Sequence, residues 1–132
     1  MSKSIMPSSA LISVCDKSCL SKIVTALKIH EIKITSTGGT EKEIKNLDDN
    51  VNSVENKTGY PSILGGRVKT LHPKIFGGIL QNSDKQSDIN DLEKFDIERY
   101  DLVFVDLYPF KEALKQDLSI QDQIEYVDIG GI

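Results

Sequence analysis

The spacing of hydrophobic and polar positions changes along the chain, and each change predicts an element. Residues 10–15 form a short, mostly apolar run with β-branched members, which is typical of a buried parallel strand. Residues 20–27 place apolar side chains three and four positions apart, which predicts an amphipathic helix. Residues 32–35 alternate as a strand does, and residues 41–47 return to helical spacing. This order predicts a βαβα unit with a parallel sheet.

The second half of the chain is more polar, and its elements are shorter. Residues 101–107 (DLVFVDL) show the strongest strand pattern, and Pro109 ends it. A capping box of Thr40 as N-cap and Glu43 is expected at the start of the 41–47 helix. Further elements are expected as a short strand at 51–54 followed by loops, and as helices at 73–80, 84–95 and 119–127.

Composition places the chain among ordinary globular proteins. It has 132 residues, of which 39% are hydrophobic and 27% are charged, and this excludes the collagen-like, disordered and disulfide-scaffold classes. One domain is expected at this length. The sequence has no apolar run near the ~20 residues that a membrane span needs, and its first residues lack a secretory pattern. A cytoplasmic protein without a membrane partner is therefore expected.

Charge and cysteine content narrow the expected partners further. The chain has 16 Lys and Arg against 20 Asp and Glu, a net charge of −4, which argues against nucleic-acid binding. The two cysteines, Cys15 and Cys19, have no nearby second group of metal ligands, so we expect reduced thiols and no metal site. Any phosphate group must then be held by a local pocket.

Three groups of residues could carry chemistry, because ligands of such sheets bind at the carboxyl ends of strands. The first is the small-residue turn 36–40, which suits an anion at a helix start. The second is the end of the first strand, with Lys17 as a possible phosphate contact. The third is the basic, glycine-flanked segment 65–74. The plainer alternatives are a glycine turn with a capped helix, a solvated lysine, and capping or core roles for Asp106, Tyr108 and Asp128. His72 by itself is ambiguous.

Five ordered segments carry a resemblance to a known family. They are ALISVCDK at 10–17, ITSTGGT at 34–40, KTGYPSILGGRVKTLHPKIFGGIL at 57–80, DLVFVDLYPF at 101–110 and YVDIGGI at 126–132. Together they closely resemble the inosine monophosphate (IMP) cyclohydrolase domain of bifunctional purine biosynthesis proteins. The resemblance implies an α/β fold of the methylglyoxal synthase-like kind, with three layers and a central, mainly parallel sheet flanked by helices.

The resemblance also implies a reaction and a site. The carboxamide nitrogen of a formamidoimidazole carboxamide ribotide attacks the formyl carbon, and loss of water gives IMP without a metal or other cofactor. By resemblance, the catalytic residues are Lys69, Tyr108 and Asp128. The substrate-binding residues implied are Ser13, Lys17, Ser36, Thr37, Gly38, Gly39, Thr40, Arg67, Thr70, Asp106, Ile129 and Gly130. Many relatives have Asn where this chain has Asp106, and often Ser and Gly where it has Cys15 and Cys19, so neither thiol is expected to be catalytic.

Family members continue beyond the segment seen here. Residues 1–132 are expected to be a cyclohydrolase domain that stops before a further helix and lysine, so that the isolated chain binds phosphate or a purine nucleotide weakly and turns over slowly if at all. The transformylase domain, which uses 10-formyltetrahydrofolate, would lie outside it, and complete members are homodimers. Two alternatives on the same fold are a methylglyoxal synthase and a non-catalytic, nucleotide-binding regulatory domain like that of carbamoyl phosphate synthetase.

Overall fold

A four-stranded parallel sheet organises the chain, which a computed structural model describes from residue 6 to residue 127. The strand order is β3-β2-β1-β4, so the two strands nearest the amino terminus lie in the middle. In the register, β1 Leu11 lies opposite Thr35 of β2 and Val103 of β4. The strands are β1 (Ser9–Ser13), β2 (Lys33–Ser36), β3 (Val51–Ser53) and β4 (Leu102–Val105).

Seven α-helices accompany the sheet within residues 6–127. None of them is long and apolar enough to cross a bilayer. A short 3-10 turn at Leu64–Gly66 precedes α4. The helices are α1 (Leu20–Ile29), α2 (Gly38–Leu47), α3 (Val54–Thr58), α4 (Pro73–Leu80), α5 (Gln86–Lys94), α6 (Phe110–Lys115) and α7 (Ile120–Ile124).

The two faces of the sheet build two hydrophobic clusters. Successive side chains of a strand point to opposite faces, so Ala10 and Ile12 pack on one side while Leu11 packs on the other. The first side also holds Leu20, Val24, Leu27 and Ile44 from α1 and α2; the second holds Val54, Ile75 and Tyr100, bringing in α3 and α4. Helices therefore cover both faces, which confirms the predicted three-layer α/β fold.

Most predicted elements form close to their expected positions, and α4 matches its prediction at both ends. Ser119 caps α7 as expected, because its hydroxyl accepts the N–H of Asp122 at 3.2 Å. Two helices were missed. α3 occupies a stretch expected to be loop, and α6 follows Pro109 directly.

The predicted capping box at Thr40 is wrong. Helix α2 begins at Gly38 with Thr37 as its N-cap, which leaves Thr40 inside the first turn. The Thr40 hydroxyl donates to the carbonyl oxygen of Val14 at 2.9 Å and accepts the Val14 N–H at 3.2 Å. The Thr40 hydroxyl therefore ties α2 to the end of β1. Because both of its hydrogen bonds go to Val14, it does not cap the helix.

Candidate functional site

A small polar cavity lies where β1, β2 and β4 end. In a parallel sheet, the carboxyl ends of neighbouring strands meet at one edge, and the turns that follow them form a crevice there. The cavity has a volume of about 130 Å³. Its lining residues come from the turn after β1, the first turn of α2, the 65–74 segment and the turn after β4: Ser13, Val14, Cys15, Lys17, Gly39, Thr40, Lys69, Asp106 and Tyr108.

The turn after β1 supplies the first of the cavity's cations. The Lys17 ammonium group folds back and donates to the carbonyl oxygens of Val14 at 2.6 Å and Cys15 at 3.3 Å. The carboxylate of Asp106, which directly follows β4, accepts the backbone N–H groups of Cys15 and Asp16. Lys17 is therefore held over the cavity by the main chain of its own turn.

In the turn between β2 and α2, the hydroxyl groups of Ser36 and Thr37 form hydrogen bonds inside the protein. Ser36 and Thr37 are 0% and 1% exposed. Ser36 donates to the carbonyl oxygen of Ile12 at 2.7 Å, and Thr37 donates to Glu55 Oε1 at 3.1 Å instead of capping α2. The N–H groups that begin a helix have no acceptor within it. What this turn offers a ligand is therefore its backbone, at the positive end of the α2 dipole.

Lys69 brings the second cation to the start of α2. Gly38 has a φ of +58°, a left-handed conformation that favours glycine, and a Cβ atom added there would lie 3.7 Å from Lys69 Nζ. Glu55, in the first turn of α3, accepts a hydrogen bond from the hydroxyl of Thr37 at 3.1 Å. Burial raises the pKa of Glu55, but hydrogen bonds from Ser53 and Thr37 and the charge of Lys69 outweigh it, so the pKa lies below its ordinary value. Glu55 is therefore ionised at neutral pH, beside Lys69.

Two predicted substrate contacts lie apart from this cavity. Arg67 Nε donates to the carbonyl oxygen of Leu64 at 2.8 Å and lies 3.8 Å from Glu125 at the end of α7. Thr70 is buried and lines a separate, apolar cavity of about 370 Å³ between α4 and β4, which shares Ser13 with the polar one. Asp128, Ile129 and Gly130, also predicted, lie outside the described residues.

The structure also places His72 and the two cysteines. His72 is the N-cap of α4, where its Nδ1 accepts the N–H of Lys74 at 3.1 Å. Cys15 and Cys19 are free, exposed thiols. Among residues 6–127, no three His, Cys, Asp or Glu side chains are grouped to hold a metal ion.

Two contributions to this region were not predicted from the sequence, the carboxylate of Glu55 and the backbone of Cys15. Glu55 comes directly after the strand predicted at 51–54, so the rule that points to the carboxyl ends of strands applied to it as well. Cys15 contributes to the cavity through its position and its backbone N–H. A backbone contribution leaves no signal in the side-chain pattern.

Comparisons with known proteins agree with this architecture. The family model described as "MGS-like domain" matches residues 20–132. Proteins named "Bifunctional purine biosynthesis protein PurH" are 51% identical over the whole chain in Bacteroides thetaiotaomicron and 50% identical over 92% of it in Prochlorococcus marinus (strain NATL1A). The chain covers 26% and 24% of those two relatives, about a quarter of their length. A solved structure titled "Crystal structure of ForH" superposes with a TM-score of 0.71 at 28% identity, covering 95% of this chain and 64% of that one.

Proposed function

Because this chain belongs to the MGS-like domain family, we propose that it is the IMP cyclohydrolase part of a bifunctional purine biosynthesis enzyme. Its substrate would be 5-formamidoimidazole-4-carboxamide ribotide, and its product IMP. The observation that carries the proposal is the convergence of Lys17, Lys69 and the start of α2 on one polar cavity at the strand ends. The chain's net charge is −4, so these cations make a local site for an anion on an acidic body.

The 5′-phosphate would bind at the start of α2. Backbone N–H groups of Gly38, Gly39 and Thr40 supply donors there, and the helix dipole favours negative charge. Lys17 adds an ammonium group whose present acceptors are main-chain carbonyl oxygens. An ammonium group has three N–H donors, so Lys17 can keep these contacts and also donate a charge-assisted hydrogen bond to a phosphate oxygen. Arg67 would leave its ion pair with Glu125 and bind the phosphate end of the substrate instead.

Ring closure would take place beside Lys69. The carboxamide nitrogen attacks the formyl carbon, the N–C bond forms, and the formyl C=O electron pair moves onto oxygen. The Lys69 ammonium group would donate a hydrogen bond to that oxygen as its charge develops. The carboxamide nitrogen gives up one proton and the formamido nitrogen a second as its bond to the former formyl carbon becomes C=N. The oxygen takes both protons and leaves as water, so atoms and charge balance without an oxidant or a group donor.

Binding would contribute much of the rate, since nucleophile and electrophile belong to one molecule. Holding the formyl group over the carboxamide nitrogen removes the entropy cost of alignment. Tyr108 lines the cavity next to Lys69, and we assign its hydroxyl group to the base end of the ligand. Asp128 is proposed as the proton acceptor for the carboxamide, a role that follows from the family resemblance alone.

The test replaces the proposed oxyanion donor. Lys69→Met keeps the apolar stem and removes the charge, and Lys22→Met, on the exposed face of α1, is the matched control. With enzyme in excess over the formamido ribotide, IMP formation is followed by ultraviolet absorbance. We expect Lys69→Met to slow the single-turnover rate on the order of 100-fold, and Lys22→Met to leave it unchanged.

Ligand preference separates this proposal from the alternatives on the same fold. Calorimetric titration should show IMP binding more tightly than a triose phosphate, because a methylglyoxal synthase would show the reverse preference. Purine binding without any IMP formation in a single turnover, both by this chain and by one extended with the segment that follows in its PurH relatives, would point to the regulatory class. Either of these results would refute the cyclohydrolase proposal.

A further inference from the structure

Both carboxylate oxygens of Asp106 accept hydrogen bonds from the turn after β1. It directly follows β4, and Ser13 at the end of β1 lies opposite Val105 at the end of β4, so the side chain needs only to reach across. Oδ1 accepts the backbone N–H of Cys15, and Oδ2 accepts that of Asp16 at 2.9 Å. One carboxylate thus fixes two consecutive peptide groups in a neighbouring turn.

The same turn holds Lys17 in the cavity. Its ammonium group donates to the carbonyl oxygens of Val14 and Cys15, so the orientation of these two peptides sets where the charge lies. Asp16 closes the turn from the other side, since its Oδ1 accepts the N–H of Ser18 at 2.8 Å. Asp106 therefore acts on Lys17 through the main chain.

We propose that Asp106 is a positioning residue, whose carboxylate clamps the turn of residues 14–17 so that Lys17 meets the substrate phosphate. This deepens the proposed cyclohydrolase function, and the kinetic part of the inference rests on that function. It differs from the expectation, implied by the family resemblance, that Asp106 binds the substrate directly. The two N–H groups go to the two different oxygens of the carboxylate, whereas an asparagine has one oxygen and, in place of the other, an NH₂ group that is itself a donor.

Amide hydrogen exchange tests the clamp without reference to catalysis. Exchange at Cys15 and Asp16 is measured by NMR in the wild type, Asp106→Asn, Asp106→Ala and the control Asp91→Asn, which changes an exposed acid of α5. Hydrogen bonds to a charged acceptor are strong, so both amides should exchange on the order of 10-fold faster or more in Asp106→Ala. In Asp106→Asn only one of the two should be accelerated, and Asp91→Asn should match the wild type.

Unchanged exchange at both amides in Asp106→Ala would overturn the clamp. If Asp106→Ala fails to fold, Asp106→Asn still decides, because the inference requires one accelerated amide there. A second reporter is the rate at which the Cys15 thiol reacts with a disulfide reagent in a Cys19→Ser background. Loss of the clamp should raise that rate as the turn loosens, while Asp91→Asn should leave it unchanged.

Kinetics separate positioning from catalysis. A phosphate contact is present in both the ground state and the transition state, so losing it raises KM and leaves kcat unchanged. We expect a rise in KM of about 10-fold in Asp106→Ala, since a lost charge-assisted contact typically costs this much or more, with kcat within twofold of the wild type. A fall in kcat at constant KM would make Asp106 a catalytic residue and refute the inference.

Failure of the proposed function gives a different pattern from failure of the clamp. If neither the wild type nor the chain extended with the segment that follows in its PurH relatives forms IMP, the cyclohydrolase proposal fails. The exchange rates, together with calorimetry of inorganic phosphate, then still decide the role of Asp106. Accelerated exchange with weaker phosphate binding in Asp106→Ala would uphold positioning of Lys17. Accelerated exchange with unchanged phosphate binding would refute it.

Discussion

Gly78 is where helix α4 touches the segment that leads into β4, and replacing it with alanine tests that packing. A Cβ atom on Gly78 would lie 2.2 Å from the carbonyl oxygen of Glu98 and 2.9 Å from Cδ2 of the Tyr100 ring. The helix is already tied to this segment, because the Tyr100 N–H donates to the carbonyl oxygen of Gly78 at 2.9 Å. A backbone oxygen cannot rotate away as a side-chain end can, so α4 must shift.

The energy follows from two opposing contributions. Overpacking a close contact typically costs about 1–3 kcal/mol, and the rigid backbone partner here places the cost at the upper end of that range. Alanine in a helix interior recovers up to about 1 kcal/mol relative to glycine. We therefore expect Gly78→Ala to lower the free energy of unfolding by about 2 kcal/mol, which corresponds to about 8 °C in Tm for a chain of this size.

The neighbouring glycine is the matched control. A Cβ atom on Gly77 would meet Ile97 Cδ1 at 3.0 Å, the far end of a flexible side chain that can rotate away. We expect Gly77→Ala to change the free energy of unfolding by less than about 0.5 kcal/mol, since small strain and helix propensity offset each other. Urea unfolding followed by circular dichroism measures both variants. Equal stability of the two would refute the reasoning, because the same helix would then accept a Cβ at either position.

Two further changes probe the contacts around β1. Thr40→Val should cost about 1–3 kcal/mol in urea unfolding, because the Val14 N–H loses its acceptor and the Val14 carbonyl oxygen keeps only Lys17 of its two donors. Thr25→Val, on the exposed face of α1, should cost less than a third of that. The pKa of Asp101 lies below its ordinary value, since hydrogen bonds from Ser8 and the charge of Arg99 outweigh the opposing effect of burial. Its stabilisation is therefore present above the unfolded pKa of about 3.9 and is lost as pH falls through the lower folded value. Urea midpoints should show Asp101→Asn less stable than the wild type at pH 7, with the difference shrinking as pH falls below about 4. A difference that stays constant from pH 7 to acidic pH would contradict the assignment.

The strands and the longer helices could be predicted because their pattern is repeated within each element. Leu20, Val24 and Leu27 recur on one face of α1, and all three are buried in the structure. The alternation in β1 likewise sends Ala10 and Leu11 to opposite clusters. Such periodicities depend only on the local geometry of helix and strand.

The short helices could not be predicted on the same basis. α3 has five residues, fewer than two turns, and its one buried residue, Val54, packs against a cluster formed by distant parts of the chain. α6 has six residues, with Ala113 as its buried contact. An isolated helix of this length is unstable in water, so tertiary packing decides whether it forms.

The candidate site divides in the same way. Lys17, Lys69 and the glycine turn at 38–39 stand out in the sequence because of their residue types and their places after strands or beside glycines. Their convergence on one cavity follows from the strand order, which makes β1 and β2 neighbours. The proposed catalytic and binding roles remain predictions, which the lysine and aspartate variants test.

By itself, the sequence determined the class of fold and the edge of the sheet at which chemistry can occur. Only the tertiary structure decided which polar groups are already committed: Thr40 to Val14, Thr37 to Glu55, and Asp106 to the turn 91 residues before it. The physical reason is the sequence separation over which each kind of interaction acts. Hydrophobic periodicity is a local property of the chain, whereas a hydrogen bond is satisfied by whichever donor or acceptor the fold brings within about 3 Å.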